Sequence, residues 1–347
     1  MAKNLKIFSG LYSYIGGKRL LATKILAFAE GKVFIDAMAG ACSVSLLAKH
    51  KGFEVKTADI SDRSYITQLA LIQNSEEKIT EADIARLFVP AKNSGFIGKT
   101  YCPKYFTKPV AKFLDNALAV ADKIENKYKQ ALLKHLLITY ILKLRSFSRF
   151  GLTQDTKMIE GGKISELLES SSESRTKKTL MNLQHPLEVL SRIAKDINYA
   201  VINTSKECKA QKQDVFEFLK SVKGDCCYFD PPYPGSCSYE ETYRVLDSIL
   251  AREEVKNPVS VFNKKDSEKF LSEMLEASQY IPLWLISCGK NPDADPEKSY
   301  EGIELLEIVK RYRKNARLIT FQHKWSINTL AKKKQSENVE YLIIAKA

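Results

Sequence analysis

The amino-acid sequence predicts an α/β fold in which a doubly wound sheet is interrupted by a mostly helical insertion. Two observations carry this prediction. Apolar strands alternate with helical patterns near the start of the chain and again after residue 186, while the long stretch between has helical periodicity without strand patterns. We therefore predict one domain built from segments 1–74 and 187–347, and a helical insertion at 75–186.

The first α/β segment opens with a βαβ unit. Residues 32–36 form a short apolar strand pattern, and the small residues 37–41 predict a turn before a helix. A second strand is expected at 53–58, and it ends at Asp59. An apolar strand, a tight turn, a helix and a second strand with an acidic end are typical of the first half of a doubly wound sheet.

Helical periodicity dominates from residue 66 to 185 and is clearest at 129–144. Polar stretches that contain glycine, at 91–109 and 151–178, predict loops within it. An insertion of this length with its own helices favours a function of its own.

Alternation of strands and helices resumes after the insertion. Helices are expected at 187–197, 213–221, 239–252, 266–278 and 303–312, and strands at 199–203, 225–229, 283–287, 317–323 and 339–345. In open α/β sheets, ligands bind beyond the carboxyl ends of the strands, so acids at those ends are candidate site residues.

The charge balance favours a polyanionic partner. The 347 residues carry 54 Lys and Arg against 41 Asp and Glu, a formal net charge of +13. A basic surplus of this size suits nucleic acid. No apolar run approaches the roughly 18–20 residues that span a bilayer, and the N-terminal residues lack the apolar core of a secretory signal. We expect no membrane partner.

Cysteine usage predicts a reducing, cytoplasmic environment. Seven cysteines form no CxxC pair, and four histidines are scattered without paired spacing. This pattern argues against a disulfide framework and against a zinc site, so we expect no metal. The adjacent Cys226 and Cys227 lie in an apolar run and are expected to pack inside a strand.

Four acids stand near predicted strand ends. Asp36 precedes the small-residue turn, Asp59 ends the second strand, Asp214 lies at the start of the predicted helix 213–221, and Asp230 follows strand 225–229. Small residues let the backbone approach a ligand closely, and an acid about twenty residues after the turn suits ribose hydroxyls. A helix N-cap is an equally good interpretation of Asp59 or of Asp214 taken alone.

Two short motifs add to these acids. Asp230-Pro231-Pro232-Tyr233 ends a strand, because proline lacks the N–H donor that a central strand needs. It is either a plain turn or a rigid catalytic loop. Near the N-terminus, Tyr14-Ile15-Gly16-Gly17-Lys18 combines two glycines, which allow close approach, with a lysine that can bind a carboxylate.

Taken in this order, the motifs resemble the Dam-type (alpha-group) N6-adenine-specific DNA methyltransferases. The resemblance rests on residues 14–18, the turn at 36–40, Asp59, Asp214 and the motif at 230–233, and it covers both α/β segments. It implies a Rossmann-like S-adenosylmethionine-dependent methyltransferase sheet whose insertion is the target-recognition domain. The implied reaction is site-specific methylation of N6 of a flipped adenine in double-stranded DNA. A role in restriction-modification is compatible with the resemblance, but a cognate restriction endonuclease cannot be inferred from the chain.

The resemblance implies a role for each matching residue. The implied cofactor-binding residues are Tyr14, Gly17 and Lys18, the lysine at the methionine carboxylate; Asp36, Ala37 and Gly40 beside the methionine moiety; Asp59 and Ile60 at the ribose; Asp214 and Val215 at the adenine; and Asp230. The implied catalytic residues are Asp230, Pro231, Pro232 and Tyr233. Three positions depart from the family pattern. Met38 replaces an aromatic residue, Cys42 replaces a glycine, and Tyr14 replaces a tryptophan.

The loop residues suit chemistry on an amine. The Asp230 side chain can accept one N–H of the exocyclic adenine amine and the Pro231 carbonyl the other, which frees the nitrogen lone pair for in-line attack on a sulfonium methyl. The prolines hold these acceptors rigid, and Tyr233 can stack on a base taken out of the duplex. Neither a covalent enzyme intermediate nor a metal is required.

Two other functions stay open. The Asp-Pro-Pro-Tyr motif also occurs in ribosomal-RNA amino-methyltransferases, and a non-catalytic nucleic-acid-binding protein on this scaffold is the second alternative. The Gly-Gly-Lys element and the long insertion favour DNA, and the acids at 59, 214 and 230 argue against loss of catalysis.

Candidate DNA contacts are basic and aromatic residues of the insertion and of the final hairpin region. They are Lys104, Tyr105, Arg145, Arg149, Lys324, Lys332 and Lys333. A solvated helix end or a surface lysine run explains the same residues equally well.

Overall fold

Seven strands form one mixed sheet in the computed structural model, which describes residues 5–144, 185–232, 238–256, 260–263, 267–289, 302–323 and 338–347. The strands are β1 Val33–Asp36, β2 Glu54–Asp59, β3 Lys209–Lys212, β4 Cys226–Phe229, β5 Leu283–Gly289, β6 Arg317–His323 and β7 Asn338–Lys346. Their spatial order is β3-β2-β1-β4-β5-β7-β6. Strand β7 is antiparallel to both of its neighbours, whereas β3, β2, β1, β4 and β5 pair in parallel. The predicted α/β class is confirmed.

The direction in which the sheet grows reverses between β1 and β4. The chain adds β2 and then β3 on one side of β1, and β4 pairs with the other side, with Asp36 opposite Tyr228. The carboxyl ends of β1 and β4 are therefore neighbours. A crevice at such a switch point is the usual ligand site of an open α/β sheet.

Helices cover both faces of this sheet. They are α1 Ala22–Leu26, α2 Ser43–His50, α3 Asp62–Thr67, α4 Glu81–Arg86, α5 Phe96–Tyr101, α6 Lys108–Asp122, α7 Lys127–Lys143, α8 Pro186–Ala200, α9 Val215–Leu219, α10 Tyr239–Ala251, α11 Ser267–Ala277 and α12 Gly302–Lys310. A π-helix, Gln68–Gln73, continues α3. In β5, Leu283 and Leu285 join the apolar layer on one face, and Trp284 and Ile286 join the layer on the other. Burial on both faces explains why its sequence is apolar without alternation.

Helices α4 to α7 belong to the segment predicted as an insertion. Helix α7 is apolar on nearly every side, and it packs against α3, α6 and α8. Its Leu132 and Leu136 join the apolar layer that also contains Phe34 of β1 and Leu46 of α2. The described part of the segment thus shares a core with the sheet, and its division into a separate domain stays a prediction.

One predicted strand is wrong. Helix α8 continues to Ala200 through residues expected to form a strand at 199–203, and the strand that follows it is β3 at Lys209–Lys212. The Asn198 side chain accepts from the Ile79 N–H and donates to the Ile79 carbonyl, which holds the last helical turn against a distant segment. Strand β3 is a polar edge strand, and its exposure removes the apolar pattern that marks buried strands.

The remaining predicted strands are present with ends shifted by at most two residues. Cys226 and Cys227 are fully buried in β4, as expected. Among the helices in the described ranges, none combines the length and the apolar character that crossing a bilayer requires.

Candidate active site

A cavity of about 540 Å³ lies at the carboxyl ends of β1, β2 and β4. It is lined by most of the residues singled out in the sequence, namely Tyr14, Gly17, Lys18, Asp36, Ala37, Gly40, Asp59, Ile60, Asp214, Val215, Asp230 and Pro232. Pro231 is described but is not part of this lining, and Tyr233 lies outside the described residues. The structure therefore brings the separate motifs together around one space.

Asp36 is the most buried acid in the lining, with 2% of its surface exposed. Burial raises the pKa of Asp36 to about 7; the hydrogen bond from Ser45 Oγ opposes this shift, and the nearby Asp230 and Asp59 carboxylates add to it. Removing water disfavours the charged carboxylate, and neighbouring negative charges do so again. The cavity therefore holds an acid that a cationic ligand would stabilise in its ionised form.

Asp59 ties the small-residue turn to the end of β2. Its Oδ2 accepts from Gly40 N at 2.9 Å, and its Oδ1 accepts from the Ser61 N–H and hydroxyl at 2.9 and 2.8 Å. Gly40 has a φ of 50°, in the left-handed region that favours glycine. The N-cap residue of α3 is Ser61, so Asp59 is not the helix cap that one interpretation expected.

Asp214 is a helix cap and also lines the cavity. Its Oδ1 accepts from Phe216 N at 2.9 Å, which makes it the N-cap of α9. Gln213 N donates to Asp59 O at 3.1 Å, so the loop before α9 is joined to the end of β2. The two interpretations of Asp214 are compatible, because capping engages one carboxylate oxygen while the residue faces the cavity.

Helix α10 holds the N-terminal motif in place. The Tyr14 ring stacks with Tyr239 and Tyr243, at centroid distances of 5.7 and 5.2 Å, and Tyr243 Oη accepts from Ile15 N at 3.0 Å. Gly16 has a φ of 73°, and a Cβ there would lie 2.4 Å from Tyr239 Oη. These tyrosines were not predicted as site residues, although their four-residue spacing marks one face of a helix.

A buried ion pair completes this wall of the cavity. Arg63 of α3 donates to Asp247 of α10, with only 5% and 7% of the two side chains exposed. The Arg63 guanidinium also lies over the Tyr243 ring, 4.5 Å from its centroid. Sequence reasoning missed the pair, since nothing near either residue in the chain identifies its partner.

The Lys18 ammonium lies between two carboxylates. Its Nζ is 2.8 Å from Asp230 Oδ1 and 3.4 Å from Glu340 Oε1, and it donates to Gly16 O at 2.9 Å. Burial opposes the charged ammonium, but Asp230 and Glu340 outweigh it and raise the pKa of Lys18. Glu340 was not predicted. The geometry joins the Gly-Gly-Lys motif directly to the Asp-Pro-Pro motif.

The cavity is acidic although the protein is basic. Seven acids (Asp36, Asp59, Asp62, Asp214, Asp230, Glu240 and Asp247) line it against three basic residues (Lys18, Arg63 and Lys212). Over the whole chain the formal net charge is +13. Within the part of the chain that is described, no group of three or more His, Cys, Asp or Glu side chains is placed to hold a metal ion. The charge of the lining suits an organic cation.

The predicted DNA contacts lie mostly outside the described residues. Arg145, Arg149, Lys324, Lys332 and Lys333 belong to this group. Lys104 and Tyr105 are described just after α5, where the Lys104 ammonium lies 5.1 Å from the centroid of the Tyr105 ring. They are not part of the cavity lining, and their contact with DNA stays a prediction.

Comparison with known proteins adds independent observations. A family model described as D12 class N6 adenine-specific DNA methyltransferase matches residues 14–159. The Type II methyltransferase M2.HphI of Haemophilus parahaemolyticus is 26% identical over 339 residues, which cover 95% of this chain and 96% of the relative. The modification methylase StsI of Streptococcus sanguinis is 24% identical over 276 residues, which cover 73% of this chain and 38% of that protein.

Proposed function

We propose a donor and a donor site from the premise that this chain belongs to the D12 class of N6 adenine-specific DNA methyltransferases. The proposed methyl donor is S-adenosylmethionine, and the proposed donor site is the cavity at the strand ends. The chain is a transferase that methylates adenine in DNA. Double-stranded DNA is the proposed substrate form. The relatives are a Type II methyltransferase and a modification methylase, which supports a role in restriction-modification beside a restriction endonuclease.

The acid surplus of the cavity is the observation that carries the assignment of the donor. S-adenosylmethionine carries a sulfonium, an ammonium and a carboxylate group and is therefore a net cation, which seven acids against three basic residues in the lining favour. The same cavity would repel a polyanion, so the phosphates of DNA belong on the basic surface outside it. The acidic cavity of this basic protein thus favours the cationic donor, and the remaining basic surface favours the DNA phosphates.

The proposed roles of the lining residues follow their positions in the cavity. Asp59 and Ile60 stand at the end of β2, beside Asp214 and Val215 at the start of α9, and we assign these four residues to the nucleoside part of the donor. The turn after β1 is assigned to the methionine part, with Asp36 beneath it. Gly17 gives the donor close access to the backbone.

The main role that we propose for Lys18 is to hold Asp230, and binding of the donor is a secondary role. Three acceptors already surround its ammonium, namely Asp230, Glu340 and the Gly16 carbonyl. A lysine ammonium has three N–H donors, so a methionine carboxylate would have to replace or share one of these acceptors. The geometry therefore supports a role for Lys18 in holding the acid of the catalytic loop.

The proposed mechanism uses Asp230 and the Pro231 carbonyl as acceptors for the two N–H groups of adenine. They draw the nitrogen towards tetrahedral geometry and free its lone pair, which forms the new bond to the methyl carbon. When bound, S-adenosylmethionine supplies an electrophilic methyl group whose bond to sulfur breaks, the electron pair staying on sulfur. Asp230 then directs the departing amine proton towards solvent. Tyr233 is the proposed stacking partner of the flipped base.

Neither alternative function is favoured. The matching family consists of DNA adenine methyltransferases, which argues against ribosomal RNA as the substrate. The non-catalytic alternative would leave seven acids around a cavity without a ligand to explain them.

The test is methyl transfer from labelled S-adenosylmethionine to duplex DNA and, separately, to ribosomal RNA, with N6-methyladenine as the product measured. We expect wild-type protein to methylate the duplex, and we expect Asp230→Asn to lose about 100-fold or more of kcat while retaining donor binding by equilibrium dialysis. Asp196→Asn, the same change on α8 outside the cavity lining, is the matched control. A fully active Asp230→Asn variant, or methylation of RNA alone, would refute the proposal.

A further inference from the structure

Glu340 occupies a position that the pattern of its strand reserves for an apolar residue. In β7, Leu342 and Ile344 point to the same face as Glu340 and join the apolar layer of that face. Glu340 is only 3% exposed, and it lies opposite Gly289 of β5 and Phe321 of β6. A carboxylate in such a place is costly unless it is paired. A sequence that breaks its local pattern in this way marks a functional position.

Glu340 pairs with the ammonium of Lys18. The Glu340 Oε1 to Lys18 Nζ distance is 3.4 Å, and the exposed fractions of the two side chains are 4% and 6%. The same ammonium is 2.8 Å from Asp230 Oδ1 and donates to Gly16 O at 2.9 Å. Three acceptors therefore surround an ammonium that has three N–H donors, which removes the freedom of a long, flexible side chain.

Among the described residues, the charges in this cluster do not cancel. Asp230 and Glu340 together carry two negative charges against the single positive charge of Lys18. If Lys18 paired with Asp230 alone, its ammonium would neutralise the carboxylate and weaken it as a hydrogen-bond acceptor. Sharing the ammonium with Glu340 leaves Asp230 with a larger effective negative charge, although it is still held in place.

We propose that Glu340 is a positioning residue for methyl transfer: it holds the Lys18 ammonium between two carboxylates, so that Asp230 is fixed in place and stays a strong acceptor for the adenine amine. This inference rests on the proposed function of Asp230. Glu340 is not part of the cavity lining, so it acts through Lys18 and does not touch the donor pocket.

Among the residues that the structure describes, the titratable side chains around Asp230 come from five elements. They are Lys18 of the N-terminal motif, Asp36 at the end of β1, Tyr228 of β4, Cys288 of β5 and Glu340 of β7. Burial is the largest cause that raises the pKa of Tyr228, and it raises the pKa of Cys288 to about 12, so both stay neutral near pH 7. Removing the charge of Glu340 removes one negative charge that favours protonation of Asp230.

The first experiment compares Glu340→Gln with wild type in steady-state methylation of duplex DNA. We expect kcat to fall about 10- to 100-fold, as for a misplaced catalytic group, while KM for S-adenosylmethionine changes less than about twofold. The acidic limb of the pH profile should move to lower pH, and Glu340→Asp should restore the wild-type limb. The matched control is Glu30→Gln, whose partner Lys346 lies on the same strand in an exposed ion pair. A variant with wild-type kcat and pH profile would overturn the proposal.

A second measurement does not depend on methylation. A double-mutant cycle of Lys18→Met and Glu340→Gln in urea unfolding should show non-additivity of about tenfold in the unfolding equilibrium constant. Each single change already breaks the Lys18–Glu340 pair, so the second change has no pair left to break. Additive effects would overturn the pairing even if the wild type methylates DNA. A wild type that methylates no adenine would overturn the proposed function, and the cycle would still decide whether Glu340 holds Lys18.

Discussion

Breaking the ion pair between Arg63 and Asp247 is expected to destabilise the protein strongly. Asp247→Asn keeps the shape of the side chain and removes only its charge, which leaves the guanidinium buried beside a neutral amide. Only 5% and 7% of the two side chains are exposed, so water cannot screen the loss. Removing one partner of a buried pair costs about 3–5 kcal/mol, and we expect the lower end because asparagine can still accept a hydrogen bond.

Urea unfolding followed by circular dichroism measures this loss. The urea dependence reaches about 3 kcal/mol per molar in small proteins and increases with size, so a loss of about 3 kcal/mol lowers the midpoint by up to about 1 M. The control is Glu307→Gln, whose partner Lys310 lies in a pair with 62% and 40% of the side chains exposed. Exposed pairs contribute about 0–1 kcal/mol, so its midpoint should hardly move.

The double variant Arg63→Met/Asp247→Leu separates stability from function. Apolar replacement of a whole buried pair is often neutral for stability, so the midpoint should recover most of what Asp247→Asn loses. Both residues line the cavity, so the double variant should bind the donor more weakly than the wild type. A loss below about 1 kcal/mol for Asp247→Asn would refute the reasoning, because the pair would then contribute no more than an exposed one.

Three further changes test other parts of the site. Burial raises the pKa of Asp36 to about 7, above the unfolded value of about 3.9. Its contribution to stability is therefore complete below about pH 4 and is lost by about pH 7. Asp36→Asn should therefore flatten the fall in unfolding free energy between about pH 4 and about pH 7. A slope like that of the wild type would contradict this. Gly16→Ala places a Cβ 2.4 Å from Tyr239 Oη at a φ of 73°, and calorimetry should show about tenfold weaker donor binding, about 1–2 kcal/mol; unchanged affinity would show that the segment adapts. Lys104→Ala should weaken duplex binding and lower the slope of log affinity against log salt by about 1, whereas an unchanged slope would remove Lys104 from the interface.

Local chemistry explains what could be predicted from the chain. The β4 strand and its end were predictable because an apolar run is followed by two prolines that cannot extend a sheet. Acids at the ends of β1 and β2 were predictable as cavity residues because parallel strands bring their carboxyl ends to one edge. Strand β3 was missed, since its Lys-Ala-Gln-Lys sequence is as polar as a loop and only its pairing with β2 makes it a strand.

The partners of the site residues depended on contacts between distant parts of the chain. Ile15 and Tyr243 are separated by 228 positions, and Arg63 and Asp247 by 184. No local pattern connects such residues, because their proximity arises only when α10 packs beside the N-terminal motif. Glu340 shows the same limit, since its strand sequence reveals an acid among apolar residues but not the lysine that it faces.

The amino-acid sequence by itself determined the class of fold, the strand ends where the acids stand and the Asp-Pro-Pro turn that ends β4, because backbone donors, side-chain size and apolar spacing act over a few residues. Only the tertiary structure decided that Lys18 lies between Asp230 and Glu340 and that Asp214 is both a helix cap and a cavity residue. Charge interactions act through space, and their strength depends on the burial that packing creates.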